Sequence, residues 1–200
     1  MTRAARPEPT ARQAALLAEL LALYLREGFA QFTLDDLAAR LRCSKSTLYA
    51  LAPSKEQLAR RAVSRFFRTA TERVEKRVAE AADARERIAF YLLAAADELK
   101  PASDRFLADI AAYAPTQAVY ERNAKAAAAR IRTFIQEGVA EGVFRPVHAR
   151  LVGEMAGWLI EGIQTGVLGR RAEVTHAEAF AGLSDLLLGG LELTAGPDAP

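Results

Sequence analysis

Residues 33–58 read TLDDLAARLRCSKSTLYALAPSKEQL, and this segment predicts the fold of the N-terminal part of the chain. Thr33, Ser44 and Ser54 are hydroxyl residues of the kind that cap helix N-termini, and each precedes a run with apolar residues at helical spacing. Only Arg42 and Cys43 separate the first two runs, so the connection is a tight turn. Two short helices joined in this way form a helix-turn-helix pattern, whose second helix typically enters the major groove of DNA.

The second helix of this pattern is rich in hydrogen-bond donors. It carries Lys45, Ser46, Thr47 and Tyr49, whereas Leu48 is expected to face inward. A helix of this length is not stable alone and depends on packing. Donors on a short helix suit the major groove. An ordinary solvated helical turn has the same composition, and spacing alone leaves both interpretations open.

Helical periodicity continues on both sides of this segment. A first helix is predicted from about Thr10 to Glu27, where Gly28 ends it. Pro53 stops the short second helix of the pattern, and a long helix of about 24 residues follows from the Ser54 cap. Further helices are predicted at 83–100, 102–114, 116–141, 147–169 and 175–193. The fold class is therefore all-α.

Composition excludes several classes of protein. With 51% hydrophobic and 26% charged residues, the 200-residue chain is globular rather than disordered. A single cysteine excludes a disulfide framework, and the two histidines show no metal-ligand spacing. We therefore predict no catalytic group, no metal and no cofactor. No apolar run reaches membrane-spanning length, and residues 1–9 lack a signal-peptide core, so a cytoplasmic protein without membrane contact is expected.

Charge is distributed unevenly along the chain. Residues 1–80 contain 15 basic and 9 acidic residues, whereas the remaining residues contain 12 basic and 16 acidic ones. A basic front and an acidic back indicate two functional regions, with any polyanion bound at the front. The excess is modest, and chance explains it as well as nucleic-acid binding does.

From Leu16 to Leu58 the chain resembles the N-terminal domain of TetR-type transcriptional regulators. The resemblance lies in Gly28-Phe29, Thr33-Leu34 with Leu37-Ala38, the SKSTLY motif at 44–49, and the PSKE motif at 53–56 with Leu58. It implies an N-terminal helix-turn-helix three-helix domain at residues 1–57. A larger helical ligand-binding and dimerisation domain would occupy residues 58–200.

The resemblance also implies which residues meet DNA. Thr33 would cap the second helix and offer its hydroxyl or backbone N–H to a phosphate. Tyr49 and Lys55 would contact phosphates, and Lys45 would approach base edges or backbone. The complete predicted set is Thr33, Arg42, Ser44, Lys45, Ser46, Thr47, Tyr49 and Lys55. Most such contacts orient a domain on the duplex rather than specify its sequence.

Two short segments depart from the family pattern. Arg42 and Cys43 stand where the family usually has a glycine and an aliphatic residue, and Ala50-Leu51-Ala52 replaces a tyrosine-histidine-phenylalanine run. In the family that histidine binds a phosphate. Arg42 is a candidate to bind the phosphate in its place, and is equally compatible with a solvated position. Cys43 is interpreted as a small buried hydrophobe, with a redox switch as the alternative.

The family places a ligand pocket among the middle helices, where this chain has several large side chains. The predicted ligand-binding set is Tyr91, Phe106, Tyr113, Tyr120, Phe134, Met155 and Trp158, with core packing as the alternative for each. Asp109, Glu154 and Glu161 are candidate anchors for a polar group. Because apolar residues outnumber these anchors, the expected effector is a small, largely apolar molecule.

The last two predicted helices carry glycines at 153, 157, 162 and 166 and leucines at 183, 187 and 191. This pattern is compatible with the four-helix interface through which family members dimerise. The resulting hypothesis is a homodimeric, ligand-responsive repressor that binds a palindromic double-stranded DNA operator. Two alternatives remain open: an all-α small-molecule-binding or enzymatic protein that does not bind DNA, and a DNA-binding protein without an effector.

Overall fold

The computed structural model describes residues 10–192, and this part of the chain is helical throughout with short connections. The helices are α1 (Ala11–Glu27), α2 (Leu34–Arg40), α3 (Lys45–Leu51), α4 (Lys55–Val78), α5 (Ala84–Leu99), α6 (Asp104–Ala112), α7 (Ala114–Ala140), α8 (Ala149–Gln164), α9 (Val167–Ala172) and α10 (His176–Leu191). The all-α prediction is confirmed. The expectation for residues 1–9 and the predicted helix end at 193 lie outside the described residues.

Local capping sets the starts of the N-terminal helices. The hydroxyl of Thr33 accepts a hydrogen bond from the backbone N–H of Asp36, whose carboxylate accepts one in return from the backbone N–H of Thr33. Ser44 and Ser54 accept backbone hydrogen bonds in the same way at α3 and α4. α4 has 24 residues. These starts agree with the sequence-based prediction because a cap is made within four residues.

Two boundaries in the C-terminal half differ from the prediction. Pro115 lies in the first turn of α7 instead of separating two helices, since a proline there removes only an N–H that the helix leaves unpaired. The helix predicted over 147–169 is broken at Gly166, which takes a positive φ of 69° between α8 and α9. A glycine adopts this left-handed conformation without steric cost.

Helix packing makes one continuous core. α1 packs on α4 and α6, and α2 packs on α3; α4 also packs on α5 and α7. α7 and α8 approach closely because Gly153 and Gly157 face Arg132 and Ala128 of α7. α4 therefore contacts both the N-terminal and the C-terminal helices. The predicted domain boundary between residues 57 and 58 falls in its first turn. Within residues 10–192, no helix combines the length and the apolarity needed to cross a membrane.

Candidate DNA interface and effector cavity

α3 presents a polar surface and is held by its apolar side. Leu48 and Leu51 are buried, whereas Ser44, Lys45, Ser46 and Tyr49 are exposed. Tyr49 is 50% exposed, although a large aromatic side chain is more often packed against the core. The exposed donors that the sequence assigned to DNA therefore share one accessible face, and Thr47 lies half-buried at its edge.

A guanidinium from α4 supports the end of α3. Arg61 donates a hydrogen bond to the backbone carbonyl of Leu51. A cation at a helix C-terminus satisfies an unpaired carbonyl and interacts favourably with the helix dipole. Since α3 is only seven residues long, this contact helps to hold its orientation on α4.

The lysine of α3 forms an ion pair with an acidic residue of α2. The Lys45 ammonium lies 2.6 Å from the carboxylate of Asp35, which is on α2. The hydrogen bond to Asp35 raises the pKa of Lys45 above its ordinary value, with the charge of Asp35 acting in the same direction. Both side chains are largely exposed, so the pair is open to competition by another anion.

Two of the predicted phosphate contacts have structural partners. The hydroxyl of Thr33 donates to the Asp36 carboxylate at 2.7 Å, and the backbone N–H of Thr33 donates to the same oxygen at 2.8 Å. This bonding lowers the pKa of Asp36. Lys55 donates to the backbone carbonyl of Ala30 at 2.7 Å. Thr33 thus has both donors engaged beside a carboxylate, whereas a lysine ammonium retains two further N–H groups.

The turn between α2 and α3 contains a residue in left-handed conformation. Arg42 has a φ of 49° and an exposed side chain, so an arginine occupies a position whose backbone favours glycine. Cys43 is half-buried against the core, and burial raises the pKa of its thiol. A thiol held in its protonated form is a poor nucleophile, and this supports the interpretation of Cys43 as a small packing residue.

A carboxylate on α6 is bonded to the loop that precedes α2. One oxygen of Asp109 accepts hydrogen bonds from the backbone N–H groups of Phe29 at 2.5 Å and Ala30 at 2.9 Å. The Phe29 ring packs edge-on against Phe106 and Tyr113, at centroid distances of 6.1 and 6.0 Å. We name residues 28–30 with Asp109 the α6 clamp. It joins the helix-turn-helix region directly to the C-terminal helices.

A cavity lies among α4, α5, α7, α8 and α10. Its volume, as space open to water-sized molecules, is about 50 Å³. Aromatic walls come from Phe66, Phe67, Tyr91 and Phe180, and the polar groups at its surface belong to Thr71, Glu98, Asn123 and Gln164. Burial raises the pKa of Tyr91 to about 12, so its hydroxyl stays protonated. A largely apolar cleft with few polar groups is the usual form of a small-molecule site.

The predicted ligand-binding residues occupy four different environments. Tyr91 lines the cavity, and Phe134 packs behind it at a centroid distance of 5.9 Å. Phe106 and Tyr113 lie against Phe29. Tyr120 lines a smaller void of about 10 Å³ that borders α6. Met155 and Trp158 lie on the molecular surface, where Trp158 is 74% exposed, and neither is a lining residue of the cavity.

Gln164 was not identified from the sequence, although it is one of the two polar residues that are buried within the described range. It is 8% exposed, and its side-chain oxygen has no hydrogen-bond partner among residues 10–192. A polar residue following Ile160 and Ile163 on an apolar helix was the available signal. Glu98, Phe66, Phe67 and Phe180 were likewise missed as lining residues. Of the candidate anchors, Asp109 forms the α6 clamp, and Glu154 and Glu161 are exposed.

Exposed apolar residues form a stripe on α8 beside α10. Leu151, Met155 and Trp158 recur at helical spacing and are each more than half exposed. On the adjoining helix α10, Leu186 is 66% exposed, and nothing lies within 4 Å of where a Cβ at Gly182 would be. Large apolar patches of this kind typically mark an interaction surface. We call these residues the α8–α10 face.

No group of three or more histidine, cysteine, aspartate or glutamate side chains in the described part of the chain is placed to hold a metal ion.

Comparison with known proteins connects this geometry to a family. Residues 16–62 match the family model for bacterial regulatory proteins of the tetR family. Over 52 residues the chain is 48% identical to YvaF of Bacillus subtilis (strain 168), an uncharacterized HTH-type transcriptional regulator. That match covers 26% of this chain and 27% of the relative. The family-model match therefore lies in the helix-turn-helix region.

Solved structures extend the similarity of fold to nearly the whole chain. A TetR transcription regulator from Haloarcula marismortui ATCC 43049 superposes with a TM-score of 0.78 at 16% identity, over 92% of this chain and all of the other. AibR, solved in complex with isovaleryl coenzyme A and operator DNA, superposes with a TM-score of 0.62 at 17% identity, over 88% of this chain and 97% of the other. The N-terminal region thus matches the tetR family of bacterial regulatory proteins, and the fold of the described chain is similar to that of solved regulators of this family.

Proposed function

We propose that the protein is a homodimeric transcriptional repressor that binds a palindromic operator and releases it when a small molecule occupies the cavity. The observation that carries this proposal is the α6 clamp, which bonds the loop before the helix-turn-helix to a helix of the cavity-bearing half. No enzymatic activity is assigned, in keeping with the regulators that the chain resembles.

On the DNA side, we assign the major groove to the exposed face of α3. Lys45 and Ser46 would approach base edges, whereas Tyr49, Arg42 and Lys55 would contact phosphates. Lys55 keeps its bond to Ala30 and uses its remaining N–H groups. Thr33 acts as the α2 cap in this arrangement. Binding requires Lys45 to exchange Asp35 for DNA, a small cost for an exposed pair.

A palindromic operator requires a two-fold dimer, and the α8–α10 face is its proposed interface. This assignment gives the exposed Met155 and Trp158 a role as interface residues rather than ligand contacts. Trp158→Glu is expected to shift the dimer toward monomer in size-exclusion chromatography with light scattering. Leu93→Glu is the control, because Leu93 is a large apolar residue on α5 that is 56% exposed and lies outside this face.

The proposed coupling between cavity and DNA runs through aromatic contacts. Phe66 lines the cavity and packs edge-on against Phe106 at 5.6 Å, and Phe106 packs against Phe29 of the α6 clamp. An effector that displaces Phe66 would therefore move α6 relative to the helix-turn-helix. The size of the response is bounded by the difference in effector affinity between the two arrangements of the dimer. AibR, with its ligand and operator DNA, provides the fold-level precedent.

Fluorescence anisotropy with duplexes from the region upstream of the coding sequence tests the proposal. We expect saturable, salt-dependent binding that survives competitor DNA. Lys45→Ala is expected to weaken operator binding, by about 1–3 kcal/mol if it reads a base. Lys76→Ala is the matched control, since Lys76 is exposed on α4 about 32 Å from Lys55 along the helix. Equal reductions for both variants would contradict the assignment of α3 to the groove.

A further inference from the structure

The cavity has an uneven set of polar groups. Glu98 is its single charged lining residue within residues 10–192, and no lysine, arginine or histidine of that range lines it. An anionic molecule entering the cavity would lose its hydration and find a negative charge. A cation would find an opposite charge in a region where solvent screens weakly.

Glu98 is paired with Arg73, whose guanidinium donates to both of its carboxylate oxygens. The Arg73 guanidinium is 3.1 Å from the Glu98 carboxylate, with the Arg73 side chain 67% exposed and that of Glu98 19% exposed. Exposed ion pairs are weak, and an arginine at the surface regains water when it is displaced. A second cation can therefore share the Glu98 carboxylate with Arg73, or displace Arg73 from it, at small cost.

Aromatic faces add to the preference for positive charge. Phe66, Phe67, Tyr91 and Phe180 wall the cavity. The face of an aromatic ring carries a partial negative charge and attracts ammonium groups, more strongly when water is excluded. The same rings accept an apolar body, so the cavity suits a molecule with both features.

Gln164 supplies an acceptor that the protein leaves unpaired. Its side-chain oxygen is buried at the cavity wall without a hydrogen-bond partner in the described part of the chain. A buried acceptor without a partner is costly, so a ligand that donates a hydrogen bond relieves that cost on binding. Gln164 also lines the smaller void bordering α6, together with Leu107 and Ile110 of that helix.

We propose, on the basis of the function proposed above, that the effector is an amphiphilic amine. Its apolar body packs on the aromatic walls, its protonated nitrogen donates an N–H to the oxygen of Gln164, and its charge is balanced by Glu98. The cavity discriminates against carboxylates and phosphates of the same shape. Gln164 also borders the void beside α6. The donor group of the ligand therefore lies at the wall through which ligand binding would be transmitted to the α6 clamp.

Four probes with one shared body test this proposal by isothermal titration calorimetry on the full chain: 4-phenylbutan-1-amine, 4-phenylbutan-1-ol, butylbenzene and 4-phenylbutanoate. We expect the amine to bind most tightly and the alcohol to exceed butylbenzene by about fivefold, the value of one added hydrogen bond. The carboxylate is expected to bind about a hundredfold more weakly than the amine, because it meets a like charge.

Charge-neutral variants identify the residues responsible. Glu98→Gln is expected to reduce the preference for amine over carboxylate about tenfold or more, with the affinity for the alcohol unchanged. Asp97→Asn is the matched control, since Asp97 is the adjacent residue, carries the same charge and does not line the cavity. Gln164→Met is expected to weaken the amine and the alcohol but not butylbenzene.

The outcomes separate this inference from the proposed function. If the carboxylate binds as tightly as the amine, or releases operator DNA when the amine does not, the amine proposal is overturned and the ligand-responsive regulator stands. If Glu98→Gln and Asp97→Asn have equal effects, the assignment of Glu98 is overturned. If no probe binds, both the amine proposal and the cavity as effector site fail. The comparison of the four probes uses the unmodified protein, so it holds even where a variant does not fold.

Discussion

Removing the carboxylate of Asp109 is the most direct test of the proposed coupling between the cavity and the helix-turn-helix region. Its oxygen accepts the backbone N–H groups of Phe29 and Ala30, which lie 80 and 79 residues away in sequence. The loop itself is tightly built, because Gly28 has a φ of 74° and a Cβ there would lie 2.6 Å from the Asp109 oxygen. In Asp109→Ala the loop loses its two hydrogen bonds to α6 but keeps the packing of Phe29 on Phe106.

The two hydrogen bonds differ in how much they contribute to the free energy of unfolding. A hydrogen bond to a charged group contributes about 1.5–3 kcal/mol, and the low end applies to the half-buried bond from Phe29. The N–H of Ala30 is exposed and regains water, so removing its bond adds only a fraction of this amount. We therefore expect Asp109→Ala to lower the free energy of unfolding by about 2 kcal/mol. For a chain of this size the corresponding fall in Tm is about 4–8 °C.

Urea denaturation followed by circular dichroism, at one fixed protein concentration, measures this change. Asp104→Ala is the control, because Asp104 is an exposed carboxylate in the first turn of the same helix and contributes only about 0.3–1 kcal/mol through the helix dipole. Asp109→Ala is further expected to reduce the effect of a bound effector on operator affinity. If the two variants unfold at the same urea concentration, or if effector response is unchanged in Asp109→Ala, the clamp does not carry the coupling.

Three further predictions concern single contacts. Asp35→Asn is expected to tighten binding to operator and to random DNA alike, by about threefold to tenfold in anisotropy titrations, because it frees the Lys45 ammonium and removes a negative charge near the phosphates; weaker binding would contradict the role of Lys45. Arg42→Gly is expected to raise the free energy of unfolding by up to about 1 kcal/mol through relief of its positive φ, and to lower the salt slope of DNA binding by up to about one; an unchanged slope would place Arg42 off the DNA. Gly138→Ala is expected to cost about 1–3 kcal/mol in urea denaturation, since its Cβ would overlap the buried Phe144 ring; a stabilised variant would show that this ring moves freely.

Features that depend on near neighbours were predictable from the sequence. The caps at Thr33, Ser44 and Ser54 are made with residues three positions on, so the starts of α2, α3 and α4 agree with the prediction. Breaks in the C-terminal half were less predictable, because the same residue has more than one local solution. Pro115 serves as well inside the first turn of α7 as between two helices, and packing of α6 and α7 selects the former.

The sequence by itself determined an all-helical chain with a helix-turn-helix at its front, because helical periodicity, caps and a motif of fixed spacing are properties of contiguous residues. The tertiary structure alone decided which side chains meet. Helical periodicity identifies the apolar face of a helix but not the element that packs on it. Trp158 and Tyr91 were therefore both predicted to bind the ligand, although Trp158 lies on the α8–α10 face and Tyr91 lines the cavity. The bonds of Asp109 to Phe29 and the unpaired oxygen of Gln164 depend on helices distant in sequence, and only the packing of those helices creates them.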